Sequence, residues 1–514
     1  MVSRIYTGVL SGLNTHKVVA EVDMNNSLPC VVIVGLPDAA VSEAKERVRS
    51  AIKNSGYAFP PKKITVNLAP ADIRKEGSLY DLPIAVGILS LDGVVNSEKT
   101  EDYAFIGELS LDGSLRGVTG VLPLVSGLKD LGFKKIIVPF ENVKEAALIS
   151  DIDVFGAKHL VDVVNHFSDN PEEHKPLKKT VIDINEYMKV EKSKFDFDFK
   201  DVKGQLKAKK AMEIAAAGGH NVLMSGSPGS GKTLLAKCFS SILPPPTPQE
   251  AIELTKIYSV AGLIDKEHPL ITKRPFRTVH HTASAIGIIG GGSNPKPGEI
   301  TLAHRGVLFF DEIVEFPRNV LEVLRQPLED SEIVISRVQT SIKYPADFIF
   351  IGAMNPCPCG YLGDKEKECT CSEFQIQRYR AKISGPLLDR IDIQIEVPRL
   401  KAEELIDKNF KSESSEEIRS RVIHAREVQY NRYKNEDILT NSELTPSLIK
   451  IYCKLDEASE NILKMAGKKF NISGRGYDRI LKLARTIADL DSSADIKTAH
   501  VSQALQYRNF VENK

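Results

Sequence analysis

Gly226, Ser227, Pro228, Gly229, Ser230, Gly231, Lys232 and Thr233 fit G-x-x-x-x-G-K-[ST] at every fixed position. The stretch follows the apolar run "NVLMSG" and opens a helical pattern, the context that this motif needs. Glycines let backbone N–H groups curl around phosphate oxygens, Lys232 adds a point charge at the β/γ-phosphates, and the Thr233 hydroxyl suits Mg²⁺. Downstream, "VLFFDE" reads as a buried strand with two carboxylates at its tip. Asp311 is expected to hold Mg²⁺ and Glu312 to orient and polarise an attacking water. In "FIFIGAMNP", Asn355 falls at the end of the next strand, where an amide could touch the γ-phosphate or that water. Together these residues predict ATP binding and hydrolysis.

Four of the seven cysteines lie immediately after that asparagine. Cys357, Cys359, Cys369 and Cys371 give C-x-C, nine residues, C-x-C. Four thiolates on either side of a short polar loop suit a tetrahedral Zn²⁺ ion with no open position, hence a structural metal. The spacing departs from the more familiar C-x-x-C knuckle. The alternative is a group of reduced, structural or redox-active thiols. Cys30, Cys238 and Cys453 are isolated and read as core or surface thiols.

The elements that must position these groups fall into successive regions. A chain of 514 residues is too long for one core. Residues 1–165 mix β-rich and helical runs, with Asp38 as a helix N-cap in "GLPDAAVSEAKERVRSAIKNSG". Residues 166–195 are polar and weakly periodic, which reads as a linker. Residues 196–400 show α/β alternation, and 401–514 are helical. The formal net charge is zero, so nucleic-acid contact would need a local basic patch. No apolar run approaches membrane-spanning length and the N-terminus shows no secretory pattern. A cytoplasmic protein with no membrane partner is expected.

The order of phosphate loop, Asp-Glu strand and Asn-tipped strand resembles the AAA+ ATPases. In that likeness Asn355 is sensor 1, and Arg390 in "SGPLLDRID" is the arginine finger that reaches a neighbouring subunit's nucleotide. Sensor 2 falls on Arg475 or Arg479 in "SGRGYDR", with Arg475 favoured at the helix start. Longer phrases, "RPFRTVHHTASAIGIIGGGSNPKPGEITLAHRGVLFFDE" and "GAMNPCPCGY" among them, closely resemble the magnesium-chelatase-like AAA+ family of YifB and competence protein ComM over essentially the whole chain.

The resemblance implies a multidomain α/β and α+β fold. Its parts are a Lon-protease-like (S5-like) N-terminal domain, an AAA+ core carrying the cysteine insert at 357–371, and a helical C-terminal lid. It also implies a homo-hexamer acting on single-stranded or branched DNA, with branch migration or helicase activity during recombination in natural transformation. The N-terminal part lacks the Ser-Lys dyad that a Lon peptidase needs, because the serine position falls near Leu79 and the lysine position at Leu124. Ser78 remains a minor alternative nucleophile. DNA contact is expected around His280, His281 and Lys296, and around Arg337 and Lys343. The rival readings are a chelatase-type ATPase remodelling a protein partner and an ATP-dependent protease.

Overall fold

A computed structural model describes residues 2–190, 195–292, 295–336, 341–400, 412–470 and 472–508. The chain divides into two compact units. One comprises Met1–Glu191 with Thr247–Thr272, and the other Lys192–Pro246 with Lys273–Lys514. Arg337 and residues 401–411, where the helical C-terminal region was expected to begin, lie outside the described residues.

The first unit is built on an eight-stranded mixed sheet. Its centre is the antiparallel hairpin Val2–Ser11 and Asn14–Asn25, in which alternate residues such as Val18, Ala20 and Val22 turn inward. The helix Asp81–Leu91 is apolar on all sides and is correspondingly buried. Asp38 caps the helix Ala39–Asn54, its carboxylate accepting from the Val41 N–H at 2.8 Å.

Two features depart from the linear division of the sequence. Within 166–195, Lys179–Thr180 pairs with the sheet edge Asp153–Ala157, and Ile184, Tyr187 and Met188 pack on the apolar core, so this stretch is more than a linker. The helix Pro248–Ala261, expected in the ATPase core, packs with the first unit instead. Ala251 and Leu270 enter its core, the Ser259 hydroxyl donates to Glu145 at 2.5 Å, and the Gly120 N–H donates to the Ser259 carbonyl at 3.1 Å. Sequence periodicity reports one buried face and not which core buries it.

The second unit holds a five-stranded sheet in the order Phe276–Val279, Val307–Phe310, Ile349–Met354, Val222–Ser225, Ile393–Glu396. Every pairing is parallel. Apolar strands of this kind must be covered on both faces. The helices Leu206–Gly218, Ser415–Arg432 and Gly474–Leu490 take part in that cover, so the C-terminal helices share one hydrophobic core with the sheet.

A buried polar network ties those helices together. Asp489 accepts from Arg432 (2.5 and 2.8 Å), Arg485 (3.1 Å) and Asn441 (2.9 Å). Asp489→Ala would leave buried Arg485 and half-buried Arg432 without their anion. We expect a loss of about 3–5 kcal/mol in unfolding free energy, read by urea denaturation. A loss under 1 kcal/mol would show that the network contributes little.

Candidate nucleotide site

Parallel strands aim their C-terminal ends at one edge of the sheet. The phosphate loop follows Val222–Ser225, Asp311 and Glu312 follow Val307–Phe310, and Asn355 follows Ile349–Met354. Because Ile349–Met354 lies between the other two strands, Asn355 falls between the loop and the carboxylates. Sequence order alone does not reveal that insertion. A cavity of about 400 Å³ results, lined by Pro228, Gly229, Ser230, Gly231, Lys232, Thr233, Asp311, Glu312 and Asn355.

Local chemistry explains the loop. A Cβ at Gly226 would sit 2.2 Å from the Val397 carbonyl oxygen, so only glycine lets the neighbouring strand end approach. Gly231 caps the helix Lys232–Phe239 at φ +92°, in the left-handed region. Lys232 Nζ donates to the carbonyls of Gly226 (2.6 Å) and Ser227 (3.1 Å) and to Asn355 Oδ1 (3.3 Å). Burial lowers its pKa, against the attraction of Asp311 and Glu312. An incoming phosphate would offer this ammonium the full countercharge that carbonyl dipoles do not.

The Thr233 hydroxyl donates to Asp311 at 2.9 Å. A hydroxyl and a carboxylate in contact form a pair of oxygen ligands that fits Mg²⁺ beside bound phosphates. The Glu312 N–H donates to Asp311 Oδ1 at 3.1 Å, and Glu312 itself has φ +51°. A bulky residue held in the left-handed region carries backbone strain that surrounding structure must sustain. The Gln205 amide also reaches the loop, donating to the Ser230 carbonyl at 3.3 Å and the Pro398 carbonyl at 2.6 Å. Nothing in the local sequence marks Gln205, since its contacts come from residues far along the chain.

The arginines occupy the other edge. Asn221, Asp347 and Asp392 precede three strands of the sheet, and they line a second cavity of about 360 Å³ with Arg390, Arg475 and Arg479. The two cavities share no lining residue. Arg390 is buried, donates to the Pro386 carbonyl at 2.8 Å and pairs with Glu329. Its Nε has no hydrogen-bond partner. Arg475, largely exposed, meets the same Glu329 at 3.4 Å. Arg479 instead binds buried Asp392 at 2.5 Å, with His220 at 3.4 Å on the other side. Burial alone would raise the Asp392 pKa, but Arg479 and His220 hold it far below the usual carboxylate range. The structure therefore brings Arg390 and Arg475 together, through a glutamate that sequence reasoning missed, and leaves both away from their own chain's phosphate loop.

The four cysteines converge. Their sulfurs lie within 4.8 Å of one another, with Cys357–Cys359 at 3.3 Å and Cys369 at 3.6 Å from each. A tetrahedral Zn²⁺ with Zn–S near 2.3 Å sets S···S separations near 3.8 Å, so the donor set fits. The remaining thiols behave otherwise. Burial pushes Cys238 and Cys453 up to about 12, and Cys30 is exposed on a strand.

In the first unit, Leu124 is buried and Leu79 packs against the cores, both apolar, and Ser78 pairs with Glu108. Lys75, the nearest lysine in sequence, directs Nζ to the Pro70 carbonyl. Among the loops expected to meet DNA, the His280 and His281 rings lie 4.2 Å apart, tilted at 33°, and Lys343 pairs with Glu332 at 2.9 Å. No helix among the described residues is long and apolar enough to cross a membrane.

Comparison with known proteins agrees with this architecture. The family model "Magnesium chelatase, subunit ChlI" matches residues 198–405, "Subunit ChlI of Mg-chelatase" matches 20–142, and "Magnesium chelatase, subunit ChlI C-terminal" matches 412–508. The chain is 42% identical over 510 residues to competence protein ComM of Haemophilus influenzae, covering 99% of this chain and 97% of that protein. It is 42% identical over 504 residues to YifB of Salmonella typhimurium, covering 98% and 96%. A shorter similarity, 31% over 134 residues, covers 26% of this chain and 24% of Lon protease 2 of Bacillus subtilis. With near-complete coverage of such relatives and three matching family models, the chain belongs to the magnesium-chelatase-like family of ComM and YifB.

Proposed function

We propose that this protein is an ATP-hydrolysing AAA+ motor that works as a homo-hexameric ring on single-stranded or branched DNA, driving branch migration or unwinding during the recombination of incoming DNA. The observation that carries the reading is the placement of two half-sites on opposite edges of one sheet. Lys232, Thr233, Asp311, Glu312 and Asn355 surround one cavity, while Arg390 and Arg475 line the other. Such a subunit completes its catalytic site only against another copy, as a ring provides.

The geometry supports the following roles. Backbone N–H groups of the loop and Lys232 bind the β/γ-phosphates. Thr233 and Asp311 hold Mg²⁺, which when bound neutralises charge on the phosphate oxygens. Glu312 takes the proton from the attacking water, and Asn355 orients that water or the γ-phosphate. Arg390 of the adjoining subunit, with Arg475 beside it as sensor 2, stabilises charge on the transferring phosphoryl group. The N-terminal unit is read as a Lon-like fold used for binding or assembly, since Leu79 and Leu124 supply no nucleophile or base.

The DNA role is supported by the likeness to a protein named competence protein ComM. An ATPase assay with and without forked or single-stranded DNA, at low salt, tests it. We expect DNA to raise the turnover rate and favour the ring by size-exclusion chromatography. Unchanged rate and unchanged oligomeric state would refute the motor reading. The match to magnesium-chelatase subunit models favours a second reading, a remodeller of a protein partner, and that reading predicts indifference to DNA.

Zn²⁺ at Cys357, Cys359, Cys369 and Cys371 belongs to the same proposal. Cys357→Ser removes one thiolate from a buried position. It should release the metal and destabilise the end of the strand Ile349–Met354. Metal content by inductively coupled plasma spectrometry checks this, and protein purified without chelator that carries no zinc would refute the site.

A further inference from the structure

The loop carrying the cysteines also touches the phosphate loop, a contact that metal binding does not require. Gly360 lies between the two cysteine pairs at φ +85°, its N–H donating to the Cys357 carbonyl at 3.0 Å. A Cβ built on Gly360 would stand 2.8 Å from Cδ and 2.9 Å from Cγ of the Pro228 ring, and 3.8 Å from Asn355 Cγ. Real side chains do not accept the first two separations. Pro228 is the loop residue that lines the nucleotide cavity directly before Gly229.

Asp364 makes a second approach. Its Oδ1 accepts from the N–H groups of Glu366 (2.9 Å) and Lys367 (3.2 Å), and the Ser227 hydroxyl also lies against its carboxylate. Ser227 and Pro228 are thus flanked by one short segment whose own shape is set by four converging thiols.

The two ends of the phosphate loop are held by Val397, Gln205 and Lys232, but its tip is open. A Cβ at Gly229 or at Gly231 would meet nothing within 4 Å. An open glycine-rich loop has many conformations, and ordering it on a ligand costs free energy that outside restraint reduces.

We propose that the cysteine loop is a brace on the phosphate loop. Gly360 and Asp364 act as positioning residues through Pro228 and Ser227, and the metal-held shape of the loop sets the affinity for nucleotide. The inference rests on reading the cavity as an ATP site.

Gly363 supplies an internal control. It also has positive φ, +78°, but a Cβ there meets nothing within 4 Å. Gly363→Ala therefore imposes similar backbone strain in the same loop without touching Pro228.

The test measures affinity of the full chain for a fluorescent N-methylanthraniloyl ATP, zinc content and melting temperature, for Gly360→Ala, Gly363→Ala and Asp364→Asn. We expect Gly360→Ala to weaken binding about tenfold with zinc retained, from the overpacking against Pro228. Asp364→Asn should weaken it by a smaller factor, and Gly363→Ala should stay within about twofold of the parent. Removing the metal with a chelator should weaken binding by the parent chain and by Gly363→Ala.

Equal weakening in Gly360→Ala and Gly363→Ala would mean that only backbone strain acts, and would overturn the brace. Unchanged affinity in Gly360→Ala, or in the parent after metal removal, would overturn it as well. If the unmodified, zinc-loaded chain binds no ATP analogue, the ATP reading itself fails and the brace with it, a result distinct from a selective loss in the Gly360 variant.

Discussion

Arg390→Ala is expected to slow ATP turnover on the order of 10³-fold while each protomer keeps its affinity for nucleotide. Arg390 lines a cavity at the edge of the sheet opposite its own phosphate loop, and its removal touches none of Lys232, Thr233 or Asp311. In the proposed ring its charge would be missed at a neighbour's site. Arg390 is also buried and paired with Glu329, so truncation could act through folding. Arg390→Lys separates the two effects. It keeps a charge against Glu329 but loses the planar fork that fits phosphoryl oxygens, and it should remain folded yet slow. Steady-state turnover, nucleotide affinity and melting temperature, measured together, decide the matter. Nucleotide affinity falling in proportion to turnover would refute action from the neighbouring subunit.

Glu312→Gln should lower kcat by about 10²–10⁴-fold and leave nucleotide bound. Glutamine matches glutamate in shape but cannot take a proton, and Glu312 lies outside the contacts that Lys232 and Thr233 make in the cavity. The variant should accumulate as an ATP-loaded ring. Lys232→Ala gives the contrast, since losing the ammonium should weaken binding itself. If Glu312→Gln binds as poorly as Lys232→Ala, Glu312 is a binding residue and its assignment as base is wrong.

Mixing the two variants joins these predictions. A site formed by the Arg390→Ala protomer retains Glu312, and an adjoining Glu312→Gln protomer retains Arg390. Where the two meet in that order, one complete site is restored, and turnover should exceed that of either variant alone. Mixed rings that stay inactive, despite confirmed subunit exchange, would contradict a shared site.

The chemistry of the phosphate site was legible because its parts are short and local. Three glycines, a lysine and a threonine in one turn need no distant residue to be recognised, and two acids after an apolar strand announce the sheet edge. The clustering of four cysteines was legible for the same reason, its thiols falling within fifteen residues, 357–371. Asp38 as an N-cap likewise depends only on the backbone N–H groups that follow it.

Other features depend on contacts between residues far apart in sequence. Thr247–Thr272 lies between two strands of the five-stranded sheet in sequence yet packs into the other unit, because its apolar residues fit the core around Val121–Asp130. Glu329 joins Arg390 to Arg475 across 61 and 146 residues of sequence. The insertion of Ile349–Met354 between Val222–Ser225 and Val307–Phe310 brings Asn355 to Lys232, and the cysteine loop to Pro228. Sequence by itself determined which groups are candidates for triphosphate chemistry, because that depends on residue type and spacing within a turn. The tertiary structure alone decided which edge of the sheet each group occupies, because strand order is set by how whole strands and helices share one buried core.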